Sequence, residues 1–355
     1  MLLLRLKLII LLIVLGHTNV CFSKADKSSC SKTIAKILRA ENSKRLGPRV
    51  FNRFRGDKNA RKADEFSIAT LNTYERFKGI TDEKTNSLAF PFLKQMAKFI
   101  EKHDVIHLQE VDTFESLEFF NKTYLGSNYR IFLLQSNDTN NSHMAFLVKN
   151  DIPVDIELQS HKYYKKNYKD NIVPIFSRDM PILTFRKPGQ SRTDRPFLAF
   201  AGIHYKSMGH SKQDDYSMEK RGLQVEATVD ILKTELFDKF GKMPVVMFGD
   251  FNSDISSREF KLLRDLGFED TLDLVDRQLE ARVTHNYFGN DGSIERKQMD
   301  AILTTKSSVF DIMDASIHFY KRPDGKIVGM PKDWDERSSL PSDHNPVWAK
   351  IRLKY

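Results

Sequence analysis

Nine short runs of aliphatic, β-branched and aromatic residues recur between residue 65 and the C-terminus, and they constrain the fold more than any other feature. Such runs are typical of strands, and they lie at residues 66–71, 104–110, 129–135, 144–149, 181–186, 197–204, 244–249, 299–304 and 346–353. Apolar residues at helical spacing separate some of them, in particular Leu93, Met96, Ala97 and Ile100, and Met218, Val225, Val229, Leu232 and Leu236. The pattern predicts an α/β fold with a sheet that is buried on both sides. A Lys-, Tyr- and Asn-rich stretch at 161–172 is predicted to be a surface loop.

The composition excludes several classes of protein. The 355 residues are 40% hydrophobic, which is enough to bury a sizeable core and excludes a disordered or low-complexity chain. Cys21 and Cys30 are the two cysteines of the sequence, so a disulfide framework and a Cys-rich zinc site are both excluded.

Residues 1–25 have the features of a secretory signal peptide. Arg5 and Lys7 precede an apolar run at residues 8–16, and Ala25 fits the small-residue cleavage pattern. The run is shorter than the roughly 20 residues that a membrane span requires, so an uncleaved anchor is the less favoured alternative. We therefore predict a secreted or periplasmic protein with no permanent membrane span.

The formal net charge of +9 is unevenly distributed along the chain. Residues 1–25 carry +3 and residues 26–64 carry +8, whereas residues 65–355 carry −2. This division predicts a basic N-terminal arm at 26–64 ahead of a folded domain at 65–355. The arm is either a solvated extension or a contact for a polyanion such as nucleic acid, and composition favours the two equally.

Polar residues of the kinds that act in catalysis stand at the ends of six predicted strands. They are Asn72, Glu110, His204, Asp250 with Asn252, Asp300, and Asp343 with His344. Each of these residue types alone is more often structural, as a turn former, a solvated acid or a satisfied histidine. Strand ends can nevertheless bring side chains together at one edge of a sheet, and this favours a shared site.

Seven short sequence blocks follow one another in a fixed order. They are Thr70-Leu71-Asn72, Gln109-Glu110-Val111-Asp112, Ser177-Arg178-Asp179-Met180-Pro181, Ile203-His204-Tyr205-Lys206-Ser207, Gly249-Asp250-Phe251-Asn252, Met299-Asp300-Ala301-Ile302 and Ser342-Asp343-His344-Asn345-Pro346-Val347. Together they resemble the endonuclease/exonuclease/phosphatase superfamily of metal-dependent phosphodiesterases, over about residues 65–355. The block around His204, followed by Arg221 and Gln224, is most similar to the secreted deoxyribonuclease-like branch.

The resemblance implies a fold, a cofactor and a metal site. The fold would be a four-layer sandwich, in which two packed β-sheets are flanked by helices and the site lies at one end. The cofactor would be Mg²⁺, for which Mn²⁺ can substitute. Glu110 would be its main ligand, with Asn72 and Asp343 beside it either as ligands or through water, since Mg²⁺ takes oxygen ligands and keeps several waters.

The resemblance also assigns roles in phosphodiester hydrolysis. His344 would be the base that activates water, and Asp300 would orient its ring and stabilise the imidazolium. Asp250 and Asn252 would orient the attacking water and the phosphoryl oxygen. Two further groups would meet the substrate phosphate: His204, as a hydrogen-bond donor or as the acid that protonates the leaving group, and Arg178.

Two features depart from the family pattern. Asp112 stands where family members often carry Arg or Glu, and this could alter the phosphate contacts. The sequence also reveals no acidic partner for His204, on which its acid role would depend.

The prediction is a secreted Mg²⁺-dependent nuclease that hydrolyses DNA, RNA or both, acting as a monomer. The alternative is a phospholipid-directed phosphodiesterase or phosphatase of the same superfamily, either sphingomyelinase-like or phosphoinositide phosphatase-like. Tyr163, Tyr164 and Tyr168 lie among lysines and suit either nucleic acid or a membrane interface. A catalytically dead binding module is disfavoured because all the main candidate site residues are present.

Overall fold

The structure is a computed structural model that describes residues 49–52, 65–80, 89–140, 142–209, 214–289, 292–306, 310–321 and 326–354. The predicted signal peptide lies outside the described residues, as do residues 26–48 and 53–64 of the predicted basic arm. Residues 47–355 form one compact unit. No helix in the described ranges has the length and apolar character needed to cross a membrane.

The strands of the described ranges fall into two large sheets and two hairpins. In chain order they are β1 (Arg49–Asn52), β2 (Glu65–Asn72), β3 (Val105–Val111), β4 (Tyr129–Leu134), β5 (His143–Lys149), β6 (Asp155–Gln159), β7 (Lys165–Tyr168), β8 (Asn171–Pro174), β9 (Ile182–Arg186), β10 (Leu198–His204), β11 (Val245–Asp250), β12 (Phe268–Asp270), β13 (His285–Phe288), β14 (Ile294–Lys297), β15 (Asp300–Thr305), β16 (Phe310–Ile317) and β17 (Val347–Leu353). Each of the nine predicted runs coincides with one of these strands, so those predictions are confirmed.

The helices of the same ranges are mostly short. They are α1 (Phe90–Ile100), α2 (Phe114–Tyr124), α3 (Met218–Leu232), α4 (Lys261–Asp265), α5 (Thr271–Leu274) and α6 (Trp334–Ser338). The end of α3 continues through a π-helical turn, Lys233–Phe237, into Asp238–Phe240. Single 3₁₀ turns occur at Asp215–Ser217, Arg258–Phe260 and Leu279–Ala281. Both helices that the sequence predicts are present, as α1 and α3.

Both large sheets combine parallel and antiparallel pairs. One has seven strands in the order β1-β6-β9-β10-β11-β15-β12, and the other has six in the order β16-β17-β2-β3-β5-β4. The parallel pairs are β2 with β3 and β10 with β11, near the centre of each sheet. Because parallel neighbours end at the same edge, these pairs deliver their C-terminal residues to one place.

The two sheets pack face to face around an apolar core. Phe66 and Phe146 of the six-stranded sheet meet Phe185, Phe200 and Phe248 of the seven-stranded sheet in this layer. Rings such as those of Phe185 and Phe200 meet edge to face, with centroids 4.9 Å apart.

Helices cover the outer face of each sheet. Helix α3 packs on the seven-stranded sheet through residues such as Val225 and Leu232, and α1 packs on the six-stranded sheet through Leu93 and Met96. These are the positions that the helical periodicity marks as apolar. The result is a helix–sheet–sheet–helix sandwich, which confirms the predicted fold class.

Two segments differ from the sequence-based expectations. Strand β1 lies inside the predicted basic arm, yet it pairs antiparallel with β6 at the edge of the seven-stranded sheet. The stretch 161–172 is not simply a loop, because β7 and β8 form a hairpin there. Its Lys-, Tyr- and Asn-rich sequence has no continuous apolar run, and the hairpin packs on α3 through contacts such as Lys166 Nζ to Asp230 Oδ2 at 2.8 Å.

Candidate active site

The predicted site residues converge where strands of both sheets end. Asn72 ends β2 and Glu110 lies near the end of β3, both in the six-stranded sheet. His204 ends β10, Asp250 ends β11 and Asp300 begins β15 in the seven-stranded sheet. A hydrogen bond from the amide of Asn72 to Asp250 Oδ2, 3.2 Å long, joins the two sheets at this edge.

Glu110 occupies a β-bulge in strand β3. Gln109 pairs with Met144 and Val111 pairs with His143, which leaves Glu110 without a partner in the ladder. Its φ of 61° lies in the left-handed region, which non-glycine residues seldom adopt. Bulges next to active sites redirect side chains, and here the bulge separates Glu110 from the regular strand alternation.

The carboxylate of Glu110 contacts a second predicted metal ligand. Asn72 Nδ2 donates to Glu110 Oε1 over 3.2 Å, and Asn72 Oδ1 accepts from the backbone of Tyr74 over 3.0 Å. Burial raises the pKa of Glu110 and the neighbouring charge of Asp343 raises it further, while the hydrogen bond from Asn72 lowers it. A bound cation would offset the energetic cost of ionising this partly buried carboxylate.

Asp250 is the centre of the polar cluster. Its Oδ1 accepts the backbone N–H of Asn252 at 2.7 Å, and its Oδ2 accepts the side-chain amides of Asn252 at 3.0 Å and Asn72 at 3.2 Å. His204 Nε2 lies 3.4 Å from Oδ2, and His344 Nε2 lies 4.0 Å from it. A buried carboxylate with this many donors is held in one orientation.

His344 and Asp300 form a hydrogen-bonded pair. His344 Nδ1 lies 2.7 Å from Asp300 Oδ2, and both residues are buried. The backbone of Asp300 is fixed in turn by Thr284, whose Oγ1 accepts the N–H groups of Met299 and Asp300 at 2.9 and 3.0 Å. The structure therefore brings together the pair that the sequence predicts.

The charges around His344 favour its protonated form. Burial lowers the pKa of His344, but the carboxylates of Asp300, Asp250 and Asp343 outweigh it and raise the pKa well above its ordinary value. Burial raises the pKa of Asp250 above its ordinary value, against the opposing effect of the His344 charge. The arrangement therefore favours a proton on the imidazole of His344 and raises the basicity of the Asp250 carboxylate.

The two carboxylate oxygens of Asp343 have different surroundings. Arg337 donates to its Oδ2, whereas Oδ1 is buried and has no hydrogen-bond partner among the described residues. Burial raises the pKa of Asp343, but the charges of His344, His285 and Arg337 hold it below its ordinary value, which keeps the carboxylate ionised. An ionised carboxylate with a buried, unpartnered oxygen is suited to a cation.

His204 does have acidic neighbours in the folded chain. Its Nε2 lies 3.4 Å from Asp250 and 3.8 Å from Glu110 Oε1, so the acids that the sequence does not reveal come from β11 and β3. Burial, followed by the charge of Arg178, lowers the pKa of His204 well below its ordinary value. A neutral imidazole donates one N–H, which favours hydrogen-bond donation over transfer of a proton.

Arg178 and Lys206 border the cluster. Arg178 Nη1 donates to the carbonyl of Tyr205 at 3.3 Å, and its Nε lies 3.5 Å from Asp138 Oδ2. Burial, and then the charge of Arg178, lowers the pKa of Lys206, which is half-buried rather than a free surface lysine. The two cations lie close enough to attract an anion together.

Residues of α3 hold the strand end that carries His204. Gln224 Oε1 accepts the backbone N–H of Lys206 at 2.8 Å, and Arg221 Nη1 donates to the carbonyl of Lys206 at 3.0 Å. Buried Arg221 is neutralised by Glu259, whose Oε1 lies 2.7 Å from Arg221 Nε. Asp112, the departure from the family pattern, instead accepts the backbone N–H of Gly79 at 3.0 Å and thereby fixes a turn.

Three residues of the site are not predicted from the sequence. Arg337 binds Asp343 from a short helix, Thr284 caps the start of β15, and His285 stacks on His344 with ring centroids 4.3 Å apart. No periodic pattern or block marks any of them. The sequence signal that could reveal Arg337 is its position six residues before Asp343, and this alone is weak.

The donor chemistry fits a divalent cation. Glu110 and Asp343 supply carboxylate oxygens, and the unpartnered Oδ1 of Asp343 is the observation that supports the fit. Asn72 turns its Nδ2 to Glu110, and its Oδ1 accepts the backbone N–H of Tyr74. Two groups of described residues also have potential ligand atoms within 4.8 Å of one another, namely His285, Asp343 and His344, and Asp250, Asp300 and His344. The first shares Asp343 with the predicted ligand set, and the second surrounds the His344–Asp300 pair.

Comparisons with known proteins identify the family and the fold of the chain. Residues 69–344 match the sequence pattern of the Endonuclease/Exonuclease/phosphatase family. No curated protein matches the chain in sequence.

Solved structures share the fold at low sequence identity. Truncated Caenorhabditis elegans TDP2 is 18% identical, with a TM-score of 0.52, and the match covers 81% of this chain and 98% of that one. D. rerio TDP2 complexed with single strand DNA product is 15% identical, with a TM-score of 0.52 and coverage of 81% and 99%. An endonuclease/exonuclease/phosphatase family protein from Bacteroides thetaiotaomicron is 14% identical, with a TM-score of 0.50 and coverage of 82% and 98%.

Proposed function

We propose, from the premise that the chain belongs to the endonuclease/exonuclease/phosphatase family and is a metal-dependent phosphodiesterase, that it is an exported Mg²⁺-dependent nuclease. Its substrate is the phosphodiester bond of DNA, RNA or both. Export is supported by the signal-peptide features of residues 1–25, in which Arg5 and Lys7 precede an apolar run. We further propose that the protein acts as a monomer.

The observation that carries the proposal is the set of contacts around Asp250. Residues from both sheets, Asn72 and His204 among them, meet this carboxylate, while His344 and Asp300 pair beside it. Hydrolysis of a phosphodiester needs a positioned water, a proton acceptor and groups that stabilise negative charge on phosphate oxygens. The cluster contains residue types for each task within one small volume.

Glu110, Asn72 and Asp343 would hold the divalent cation. When bound, Mg²⁺ or Mn²⁺ supplies positive charge to the phosphate oxygens and favours departure of the leaving group. The chain's own contribution is to hold these oxygen donors in place, Glu110 through its bulge and Asp343 through Arg337.

The remaining residues divide the work on water and phosphate. Asp250 is placed to accept a proton from water, because burial raises its pKa and so makes the carboxylate a stronger base, and because Oδ2 lies 3.4 Å from His204 Nε2 and 4.0 Å from His344 Nε2 at the centre of the cluster. His344, paired with Asp300, then acts chiefly as a cation that binds the phosphate. His204 donates a hydrogen bond to a phosphate oxygen, and Arg178 adds positive charge at the border.

Nucleic acid is the favoured substrate class for two reasons. A protein with the same fold, D. rerio TDP2, is complexed with single strand DNA product. Arg178 and Lys206 border the cluster, and beyond the described residues the segment 26–48 adds further basic side chains. Basic side chains at the site and in this segment suit a polyanionic backbone.

The test is a substrate panel with purified protein. Supercoiled plasmid, structured RNA, a single-stranded oligonucleotide, sphingomyelin vesicles and phosphoinositides are incubated with Mg²⁺, with and without EDTA. We expect EDTA-sensitive cleavage of at least one nucleic acid, and loss of that cleavage in Asp250→Asn. Turnover of sphingomyelin or phosphoinositides without any cleavage of nucleic acid would establish the lipid-directed alternative.

A further inference from the structure

Trp334 is a large aromatic side chain held beside the candidate site yet exposed to solvent. It is 59% exposed, on the first turn of α6. Its ring lies 5.3 Å from the ring of Phe288, at an interplanar angle of 35°, and the guanidinium of Arg337 lies 4.6 Å from its centroid. Packing against two planar groups fixes the orientation of a ring whose remaining surface faces water.

Both supports of Trp334 are connected to the reacting groups. Arg337 is the residue that binds Asp343, and its guanidinium also lies 5.4 Å from the ring of Tyr74, two residues after Asn72. Phe288 ends β13, the strand that begins with His285, whose ring stacks on His344. The exposed ring is thus separated from the candidate metal ligand Asp343 by one arginine side chain.

A second arginine, Arg76, binds the segment that leads from α6 to Asp343. Arg76 donates to the carbonyls of Ser338, Leu340 and Pro341 at 2.8 to 3.2 Å. These hydrogen bonds connect the segment after α6 to the turn that follows β2, four residues beyond Asn72. Trp334 is presented on a fixed support, as a binding platform requires.

We propose that Trp334, supported by Phe288 and Arg337, is a stacking platform for an unpaired nucleobase adjacent to the phosphate that is cleaved. The inference rests on the proposed nuclease function and narrows its substrate to single-stranded nucleic acid or unpaired ends. Bases within a duplex already stack on both faces, so their faces cannot meet a protein ring, whereas an unpaired base can stack on an aromatic side chain.

The charges next to Trp334 disfavour a bilayer as its partner. Asp333 and Asp335 flank it and are exposed, and Asp333 caps α6 through the backbone N–H of Glu336 at 2.8 Å. Insertion of Trp334 into a membrane interior would carry both carboxylates out of water, which is costly. A base stacks on the ring while the carboxylates stay hydrated.

Steady-state kinetics provide the first test. Trp334→Ala should raise KM for a single-stranded oligonucleotide and lower kcat/KM about tenfold or more, because one base loses its stacking partner. The loss on bis(p-nitrophenyl) phosphate, which has no nucleobase, should be several times smaller. Trp334→Phe keeps an aromatic face and should retain most of the activity on the oligonucleotide.

Matched controls separate stacking from general damage. Leu279→Ala removes another exposed apolar side chain, 73% exposed and distant in sequence, and should leave both activities unchanged. Thermal melting of Trp334→Ala should be close to that of the wild type. A variant that loses the same factor on both substrates would have a disturbed site, and this would overturn the platform.

Fluorescence provides a test that does not depend on turnover. The sequence has two tryptophans, Trp334 and Trp348, so their signals can be separated by subtraction. In the Asp250→Asn background, a single-stranded oligonucleotide should quench emission, and most of the quenching should disappear when Trp334→Phe is added. The same sequence as a blunt duplex should quench much less.

These experiments distinguish an error in the stacking platform from an error in the nuclease function. If the wild type cleaves no nucleic acid, the proposed function is wrong. If the wild type cleaves single strands and Trp334→Ala does so equally well, without any loss of quenching, the platform is wrong while the function stands. Weaker binding of Trp334→Ala to sphingomyelin vesicles, with oligonucleotide cleavage unchanged, would also overturn it and assign the ring to a membrane.

Discussion

His344 Nδ1 and Asp300 Oδ2 lie 2.7 Å apart, although 44 positions separate the two residues in the chain. The pair stands at the junction of the two sheets, because Asp300 begins β15 and His344 precedes β17. Its geometry fixes which ring nitrogen faces Asp250, since Nδ1 is engaged and Nε2 points to the carboxylate 4.0 Å away.

Asp300→Asn should therefore lower kcat by about 10²-fold or more while the protein stays folded, as when a carboxylate that orients a catalytic histidine is removed. An amide keeps the size of the side chain but removes the charge that favours the imidazolium. Asp265→Asn is the matched control, because Asp265 pairs with Lys261 on the exposed surface. Similar turnover by Asp300→Asn and the control would show that the pair is structural only.

Chelation should abolish activity, and either Mg²⁺ or Mn²⁺ should restore it. Glu110→Gln keeps the shape of the side chain but halves its oxygen donors, so we expect it to need a higher metal concentration for half-maximal activity and to lose about 10²-fold in rate. A metal titration of the wild type and the variant measures both effects. Full turnover in excess EDTA would contradict the metal site.

Acid should destabilise the protein through its buried histidines. Burial lowers the pKa of His107 to about 3, and it lowers that of His103 to about 3 as well. Between the ordinary pKa of about 6.5 and these values the unfolded state binds protons that the folded state does not, so stability falls as the pH falls. Buried carboxylates act in the opposite sense, since the pKa of Asp179 is raised to about 6.

A difference measurement isolates His107 from those opposing groups. Melting temperature is followed from pH 7 to pH 4.5 for the wild type and for His107→Gln, in which the amide can still meet Gln109. The variant should lose less stability per pH unit, by up to about 1.4 kcal/mol for one histidine. Parallel pH profiles for the two proteins would show that His107 binds protons alike in the folded and unfolded states, and would contradict the lowered pKa.

Gly249→Ala should damage the site through the backbone. Gly249 has a φ of 150°, and an added Cβ would lie 1.9 Å from the carbonyl oxygen of Ile203 on the neighbouring strand. The strands would have to separate at the end that carries His204 and Asp250, so we expect losses of both melting temperature and kcat. Gly222→Ala is the control, because its Cβ meets nothing within 4 Å and alanine favours a helix.

The basic N-terminal segment should contribute to binding of long nucleic acid. Deletion of residues 26–46 removes six Lys or Arg and two acids and leaves β1 in place. If phosphates are contacted, each lost contact should flatten the plot of log affinity against log salt by about 0.9 on duplex DNA. Cleavage of a short saturating substrate should change little. An unaltered salt slope would make the segment a solvated extension.

Much of the fold is predictable because its central strands are continuous apolar runs. β10 and β11 are buried along their whole length, and such segments leave a clear pattern in the sequence. β1 and the hairpin of β7 and β8 are less predictable. β1 is an edge strand of four residues and β7 and β8 form a separate two-stranded sheet, so none of them needs a long apolar run to pair.

The sequence also predicts those site residues that stand at the ends of strands. Asn72, His204 and Asp250 stand directly at strand ends, so their positions follow from the strands. The contact of Arg337 with Asp343 depends on the path of an irregular segment, which no periodicity encodes. The charge state of His344 depends on three carboxylates, and two of them, Asp250 and Asp300, are distant in sequence, so only the folded chain reveals their combined effect.

The division of the site between two sheets links catalysis to the order of folding. Glu110 and Asn72 belong to one sheet, whereas Asp250 and His204 belong to the other, and they meet only when the faces around Phe146 and Phe248 have docked. A folding intermediate with one sheet formed would contain half of the constellation and have no turnover. In a refolding experiment, the return of enzymatic activity should therefore mark the moment at which the sandwich closes, later than the recovery of secondary structure.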